Sequence, residues 1–216
     1  MVNSTNANIE LITLIETIAD NKFILGDRLV EVGVSGPDLE ATLAAIAMAQ
    51  SELGHARLLY NWGTNLKSGK GSKKEVKEQT GKAFGSIVQI GEWIQLIAGL
   101  YSMNTALNIL ITALTSHQKG SEIELQFNKL AREQLEHILY SKNWALKLLN
   151  DGGSIPARFG RAFKLCEQEI ITWLKQVENN SVLIENEILP VNSNLVNSYK
   201  EALIPRLRDG EIINVR

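Results

Sequence analysis

Two glutamate–histidine pairs carry the side chains in this sequence that are best suited to chemistry. Glu52 and His55 lie three residues apart, and Glu133 and His137 lie four residues apart. On an α-helix, either spacing places both side chains of a pair on the same face. Carboxylate and imidazole groups are common metal ligands, so these four residues form a candidate metal site.

Apolar residues around the two pairs indicate that both helix faces point into a protein core. The first face carries Ala45, Met48, Leu59 and Trp62, and the second carries Ile123, Phe127, Leu130, Tyr140 and Trp144. A single Glu-x-x-His pattern often arises by chance. Two inward pairs on separate helices leave two alternatives open, a metal site and a structural hydrogen-bond network.

Charge balance favours the structural network. Lys22 is in register with the apolar face of the first predicted helix, and Thr105 occupies the middle of the inward face of the third. A buried ammonium group is costly unless it is paired, and we predict that Glu52 and Glu133 are its partners. This layer then carries too little negative charge for two metal ions.

Apolar residues at three- and four-residue steps predict the helices that position these groups. The long helices are predicted at about residues 7–32, 39–66, 83–117, 122–150 and 155–178, with a short one ending near residue 205. The apolar positions of the second helix include Leu43, Ile46, Leu53 and Leu59. Asp38 is the predicted cap of the second helix, and Ser121 with Glu124 forms a capping-box pattern before the fourth.

These elements predict an all-α protein with a ferritin-like antiparallel four-helix bundle and additional C-terminal helices. We predict a single domain over residues 1–216, with the core bundle at about 7–151 and a C-terminal helical extension at about 154–205. Residues 67–82 are rich in Lys, Gly and Ser, which predicts a mobile surface connection. Its lysines could attract the phosphates of coenzyme A, although a solvated loop is the simpler interpretation.

Charge and composition limit the kinds of function that we expect for this protein. The formal net charge of −2 gives no reason to expect nucleic-acid binding, and we find no continuous apolar run that predicts a membrane span. Cys166 is the single cysteine, which fits a reducing compartment and is best interpreted as a small buried hydrophobic residue. With no signal peptide recognised at residues 1–10, we predict a cytoplasmic protein.

Three segments resemble the phenylacetic acid catabolic oxygenase family. They are ADNKFILGDRLVE at 19–31, GPDLEATLAAIAMAQSELGHARLLY at 36–60, and LAREQLEHILYSKNWALKLLNDG at 130–152. The resemblance covers about residues 10–175. It implies a ferritin-like fold and a multisubunit oxygenase that epoxidises the ring of phenylacetyl-CoA. In that family, one helical subunit carries a di-iron site, and a related subunit has lost the ligands and supports it.

The resemblance extends to individual positions. Four residues match ligand or near-ligand positions of the family: Glu52, His55, Glu133 and His137. Where the catalytic pattern has acidic residues, this chain has Lys22, Thr105 and Gln134. The resemblance therefore implies a structural subunit without a cofactor, in an oligomer with a catalytic ferritin-like paralogue and an acyl-CoA substrate reaching the complex.

Two other functions stay open at this stage. The first is a metal-binding oxygenase subunit, in which the two glutamate–histidine pairs hold iron or another divalent metal, with Glu92 or Glu136 as a further ligand. The second is a metal-handling homo-oligomer without oxygenase partners.

Overall fold

The computed structural model describes residues 2–68 and 79–208, with side chains from residue 6 onward. The helices are α1 Val2–Glu31, α2 Leu39–Ser68, α3 Gly85–Val88, α4 Trp93–His117, α5 Glu122–Leu149, α6 Ile155–Glu178, α7 Ser181–Glu185, α8 Leu195–Ala202 and α9 Pro205–Arg208. A 3₁₀ turn at Gly33–Ser35 joins α1 to α2. The described ranges contain no strand, which confirms the all-α prediction.

Four long helices form the bundle as two antiparallel hairpins. Helix α1 packs along α2, α4 packs along α5, and the C-terminal helices α6 and α8 cover α4. In the described part of the chain, α4 alone is long and apolar enough to cross a membrane by length and composition. However, 78% of its most apolar window is buried inside the protein, as expected for the central helix of a bundle.

Helix caps form where the sequence predicts them. Asp38 accepts a hydrogen bond from the Ala41 amide at 2.7 Å, at the start of α2. Ser121 accepts one from the Glu124 amide at 3.2 Å, while the Glu124 carboxylate accepts from the Gly120 amide. These contacts satisfy amides that have no partner within the first turn of each helix.

The third predicted helix, at 83–117, is interrupted in the structure. Helix α3 is a single turn, and the chain is extended at Glu92 before α4 begins. Packing explains the break, because the side chains of Ile87 and Ile90 fold back against Gly99 of α4. A continuous helix across the poor helix former Gly91 would carry those two side chains away from this contact.

Two apolar residues of α2 face outward, since Leu43 and Ile46 are 58% and 40% exposed. The buried face of α2 is lined there by Ala41, Ala45 and Ala49. The 3₁₀ turn packs closely against this face, because a Cβ added at Gly33 would lie 2.6 Å from the Ala45 Cβ. The small side chains on this face of α2 allow that approach.

Both ends of the Lys-rich connection are fastened to α1. The buried Asp20 accepts hydrogen bonds from the Thr80 amide at 3.0 Å and from the Lys82 amide at 2.6 Å. Glu16 binds the ammonium groups of Lys67 and Lys82. The predicted mobility and coenzyme A contact concern residues 69–78, which lie outside the described residues and stay predictions.

Two helical glycines should respond oppositely to substitution. A Cβ at Gly26 of α1 would lie 2.7 Å from Leu53 of α2, whereas a Cβ at Gly54 would meet nothing within 4 Å. Gly26→Val should lower the free energy of unfolding by about 1–3 kcal/mol through overpacking. Gly54→Ala should raise it by about 1 kcal/mol through helix propensity. Urea unfolding of both variants tests the packing, and destabilisation by Gly54→Ala would contradict it.

Candidate functional site

A buried lysine lies at the centre of the bundle. The Lys22 side chain on α1 is completely shielded from solvent. Its Nζ donates to Oε2 of Glu52 on α2 at 2.7 Å and to Oε1 of Gln134 on α5 at 2.8 Å. The ammonium group therefore joins three of the four bundle helices through two acceptors that are themselves buried.

The fourth helix joins this network through Asn104. The Gln134 amide nitrogen donates to Oδ1 of Asn104 at 2.6 Å and lies 3.1 Å from the Asn104 backbone oxygen. The sequence placed Thr105 at this central position, and that prediction is wrong by one residue. The Thr105 hydroxyl is buried and donates to the Tyr101 carbonyl oxygen of its own helix at 2.7 Å.

Both histidines contact carboxylates of the neighbouring helix. His137 Nδ1 lies 2.7 Å from Glu52 Oε1, and His55 Nε2 lies 3.0 Å from Glu133 Oε2. An ionised carboxylate only accepts hydrogen bonds, so each of these nitrogens carries the proton. The ring centroids of the two histidines are 6.2 Å apart. The sequence-predicted pairs thus meet across α2 and α5.

Glu133 does not bind Lys22, contrary to the prediction that both glutamates pair with the ammonium group. Its side chain is 43% exposed at the edge of the bundle, where it pairs with His55. Gln134, the next residue on α5, points inward and takes the predicted place. Glu133 and Gln134 point in different directions because consecutive helical residues are about 100° apart around the axis.

Burial and charge set the protonation states of the network. Burial alone raises the pKa of Glu52, but the Lys22 ammonium and the hydrogen bond from His137 outweigh it and hold the pKa at about 2. Burial lowers the pKa of His55, and the Lys22 charge lowers it further, to about 4. At neutral pH, an ionised Glu52 therefore balances Lys22, and His55 is uncharged.

Neutral His55 has one ring nitrogen with no partner. Its Nε2 carries the proton toward Glu133, so Nδ1 is an acceptor. This Nδ1 atom is buried and accepts no hydrogen bond from any described residue.

The two further candidate carboxylates are not among the buried groups of the network. Glu92 precedes the first residue of α4 and pairs with Arg158, and both of these side chains are more than 40% exposed. Glu136 is exposed on α5. Across residues 2–68 and 79–208, no three His, Cys, Asp or Glu side chains are grouped as they would need to be to hold a metal ion.

These residues do not fit a carboxylate-bridged di-iron centre. Ferritin-like di-iron sites take one Glu from each of two helices and a Glu-x-x-His pair from each of the other two. Here the inward groups beside Glu52 are the ammonium of Lys22 and the amides of Asn104 and Gln134. An ammonium group repels a divalent cation, and neutral amides supply no charge to bind one.

A four-helix bundle with glutamate and histidine side chains meeting at its centre places the protein in the ferritin-like class. The sequence model of the phenylacetic acid catabolic protein family matches residues 2–212. The chain belongs to this family, which confirms the resemblance seen in its segments. A comparison with curated proteins found no match.

Removing the buried cation should destabilise the fold strongly. Lys22→Met leaves Glu52 ionised and without its main counter-charge, which should cost about 3–5 kcal/mol of unfolding free energy. Arg158→Met breaks the exposed pair with Glu92 and should cost less than about 1 kcal/mol. Urea unfolding at pH 7 compares the two. A Lys22→Met loss as small as the Arg158→Met loss would show that the ammonium group is not buried as described.

Acid should weaken the fold through His55. Its pKa is 6.5 when unfolded and about 4 when folded, so the unfolded state binds more protons between these values. The contribution of His55 to the free energy of unfolding is therefore fully present above pH 6.5. It decreases by about 3 kcal/mol as the pH falls to 4. Unfolding free energies measured from pH 7 to pH 5 should fall less steeply in His55→Gln. Equal pH dependence in both proteins would contradict the assignment.

Proposed function

We propose that this chain is the non-catalytic helical subunit of a multicomponent oxygenase of phenylacetate catabolism. It supports a related ferritin-like subunit that carries the di-iron centre. Family membership supports the link to phenylacetate catabolism. The single observation that carries the subunit role is the Lys22 ammonium group, bound between Glu52 and Gln134 where a catalytic bundle needs acidic ligands.

The charges of the network support this role. A catalytic bundle of this class needs bound metal to hold its carboxylates together, because clustered carboxylates repel one another. Here Lys22 and Glu52 neutralise each other, and Gln134 and Asn104 complete the hydrogen bonds. The bundle is therefore held at its centre by its own side chains, and we propose that it has no resident metal.

In the proposed complex, the partner subunit carries out the substrate chemistry. We propose that the catalytic paralogue binds and oxidises the acyl-CoA substrate, while this chain gives it a rigid packing surface. The predicted cytoplasmic location suits a catabolic complex that uses a coenzyme A thioester.

A metal-binding oxygenase subunit is the second candidate. The unpartnered Nδ1 of His55 and the short separation of the two histidine rings favour it. Iron or another divalent ion held by Glu52, His55, Glu133 and His137 would have to displace Lys22 and His137 from Glu52, which makes this candidate the weaker one.

Elemental analysis and turnover separate the two candidates. The chain should be purified alone and as a complex with the catalytic family member from the same organism. Substoichiometric iron is expected in the chain alone, and the iron of the complex should stay with the partner when the subunits are separated. Close to two irons in each copy of this chain would overturn the proposal.

The matching activity test uses this chain's own histidine. Complexes carrying His137→Gln, with Gln able to donate to Glu52, should oxidise phenylacetyl-CoA at the wild-type rate, because we assign the chemistry to the partner. Glu167→Gln, at a buried acidic residue of α6 that pairs with Lys164 and takes no part in the network, serves as the control for general packing effects. Loss of turnover and of metal in His137→Gln alone would favour the metal-binding candidate.

A further inference from the structure

We infer that the outer face of helix α2 pairs with the same face of a second copy of this chain, in antiparallel orientation. Six exposed residues form this outer seam: Glu40, Leu43, Ala47, Gln50, Gly54 and Arg57. The inference goes beyond the proposed function, because it concerns contact between two copies of this subunit and does not depend on the catalytic partner.

The outer seam runs along one side of α2. Its residues follow one another at alternating three- and four-residue steps, which is the spacing of a helix face that packs along another helix. At about 100° per residue, these positions lie on the side of α2 opposite the buried Ala45 and Glu52. The seam extends over about 26 Å of the helix axis, which is long enough for a helix–helix contact.

Large and small residues are placed symmetrically about the middle of the seam. Leu43 lies four residues before Ala47. Gly54 lies four residues after Gln50. In an antiparallel pair centred between Ala47 and Gln50, Leu43 of each copy therefore lies level with Gly54 of the other. A large side chain then faces a residue without one, and the glycine permits close approach of the two helices.

The packing of the single chain gives no reason for a glycine at position 54. A Cβ added there would meet no described atom within 4 Å. Glycine in the interior of a helix lowers stability relative to alanine. The antiparallel pair supplies a reason, because Gly54 makes room for Leu43 of the second copy.

The two charges of the seam have the same symmetry. Glu40 lies seven residues before Ala47, and Arg57 lies seven residues after Gln50, so each Glu40 lies level with Arg57 of the other copy. From residue 39 to residue 66, these are the only charged side chains that are exposed on α2. Neither forms an ion pair with another described residue. The antiparallel pair therefore joins opposite charges at two places and sets no like charges level.

Other arrangements do not use this symmetry. A parallel pair would set Glu40 beside Glu40 and Arg57 beside Arg57 of the copy, and like charges repel each other. A different partner, such as the catalytic paralogue, needs no symmetric order of charge and size along this helix. A two-fold contact between identical chains does need it, because every contact in such an interface occurs twice with the two copies exchanged.

Exchanging the two charges tests the pairing. Sedimentation equilibrium of the purified chain gives the dissociation constant of the dimer. We expect Glu40→Arg and Arg57→Glu each to weaken the dimer by about tenfold or more, because each sets like charges level at two places. The double variant restores opposite charges and should bind within about threefold of the wild type. Glu40 also favours the first turn of α2, so the measured quantity is the dissociation constant rather than stability.

Two further variants test the packing of the seam. Leu43 is 58% exposed and Leu165 on α6 is 62% exposed, so Leu165→Arg is a matched control for Leu43→Arg. Gly54→Gln meets no described atom at its Cβ, and the single chain should therefore be at least as stable as the wild type. We expect Leu43→Arg and Gly54→Gln to weaken the dimer by about tenfold or more, and Leu165→Arg by less than about twofold.

The outcomes separate this inference from the proposed function. A wild-type chain that stays monomeric at about 100 μM overturns the inference, as does a dimer that the seam variants leave intact. A dimer that the single charge variants weaken and the double variant does not restore also overturns it. If the chain alone is monomeric and the seam variants weaken its binding to the catalytic family member, the face belongs to that partner, and only the inference is overturned. A dimer that responds as expected, in a chain that does not bind the catalytic family member, supports the inference and overturns the proposed function.

Discussion

The ion pair of Lys22 and Glu52 fixes how the four bundle helices meet. The ammonium group has no access to water, so it needs both Glu52 and Gln134 in place, and Gln134 in turn needs Asn104. A buried ion pair adds little net stability over well-packed apolar residues, because removing two charges from water is costly. Its effect is on geometry, since any shift of one helix along another leaves a buried charge without a partner.

The ion pair of Lys22 and Glu52 also divides the site into an inner part around Glu52 and an outer part around His55. Glu52 is held on both oxygens, by Lys22 and by His137, whereas His55 reaches outward to the exposed Glu133. The inner part is closed and charge-balanced, and the outer part opens toward the surface shared by α2 and α5. A bundle built in this way keeps the outline of its ferritin-like class, and under the function proposed above its interior groups have a structural role.

Sequence periodicity predicts this fold well where helices have one polar face. The bounds of α2 and α6, the caps at Asp38 and Ser121, and the inward position of Lys22 all follow from local spacing. The rotation of α4 about its own axis does not follow from local spacing, because α4 is buried on nearly every side and has no polar face to orient it. Asn104 was therefore missed, although a polar amide in an apolar helix was a usable signal.

The anchoring of the Lys-rich connection on α1 has a consequence for how this protein can change. Asp20 and Glu16, one turn apart, bind both the residues that enter the connection and the residues that leave it. Since both ends are fixed close together, the cost of closing the loop grows only slowly with its length. A change in the length of the chain between residues 68 and 79 should therefore alter the free energy of unfolding only slightly.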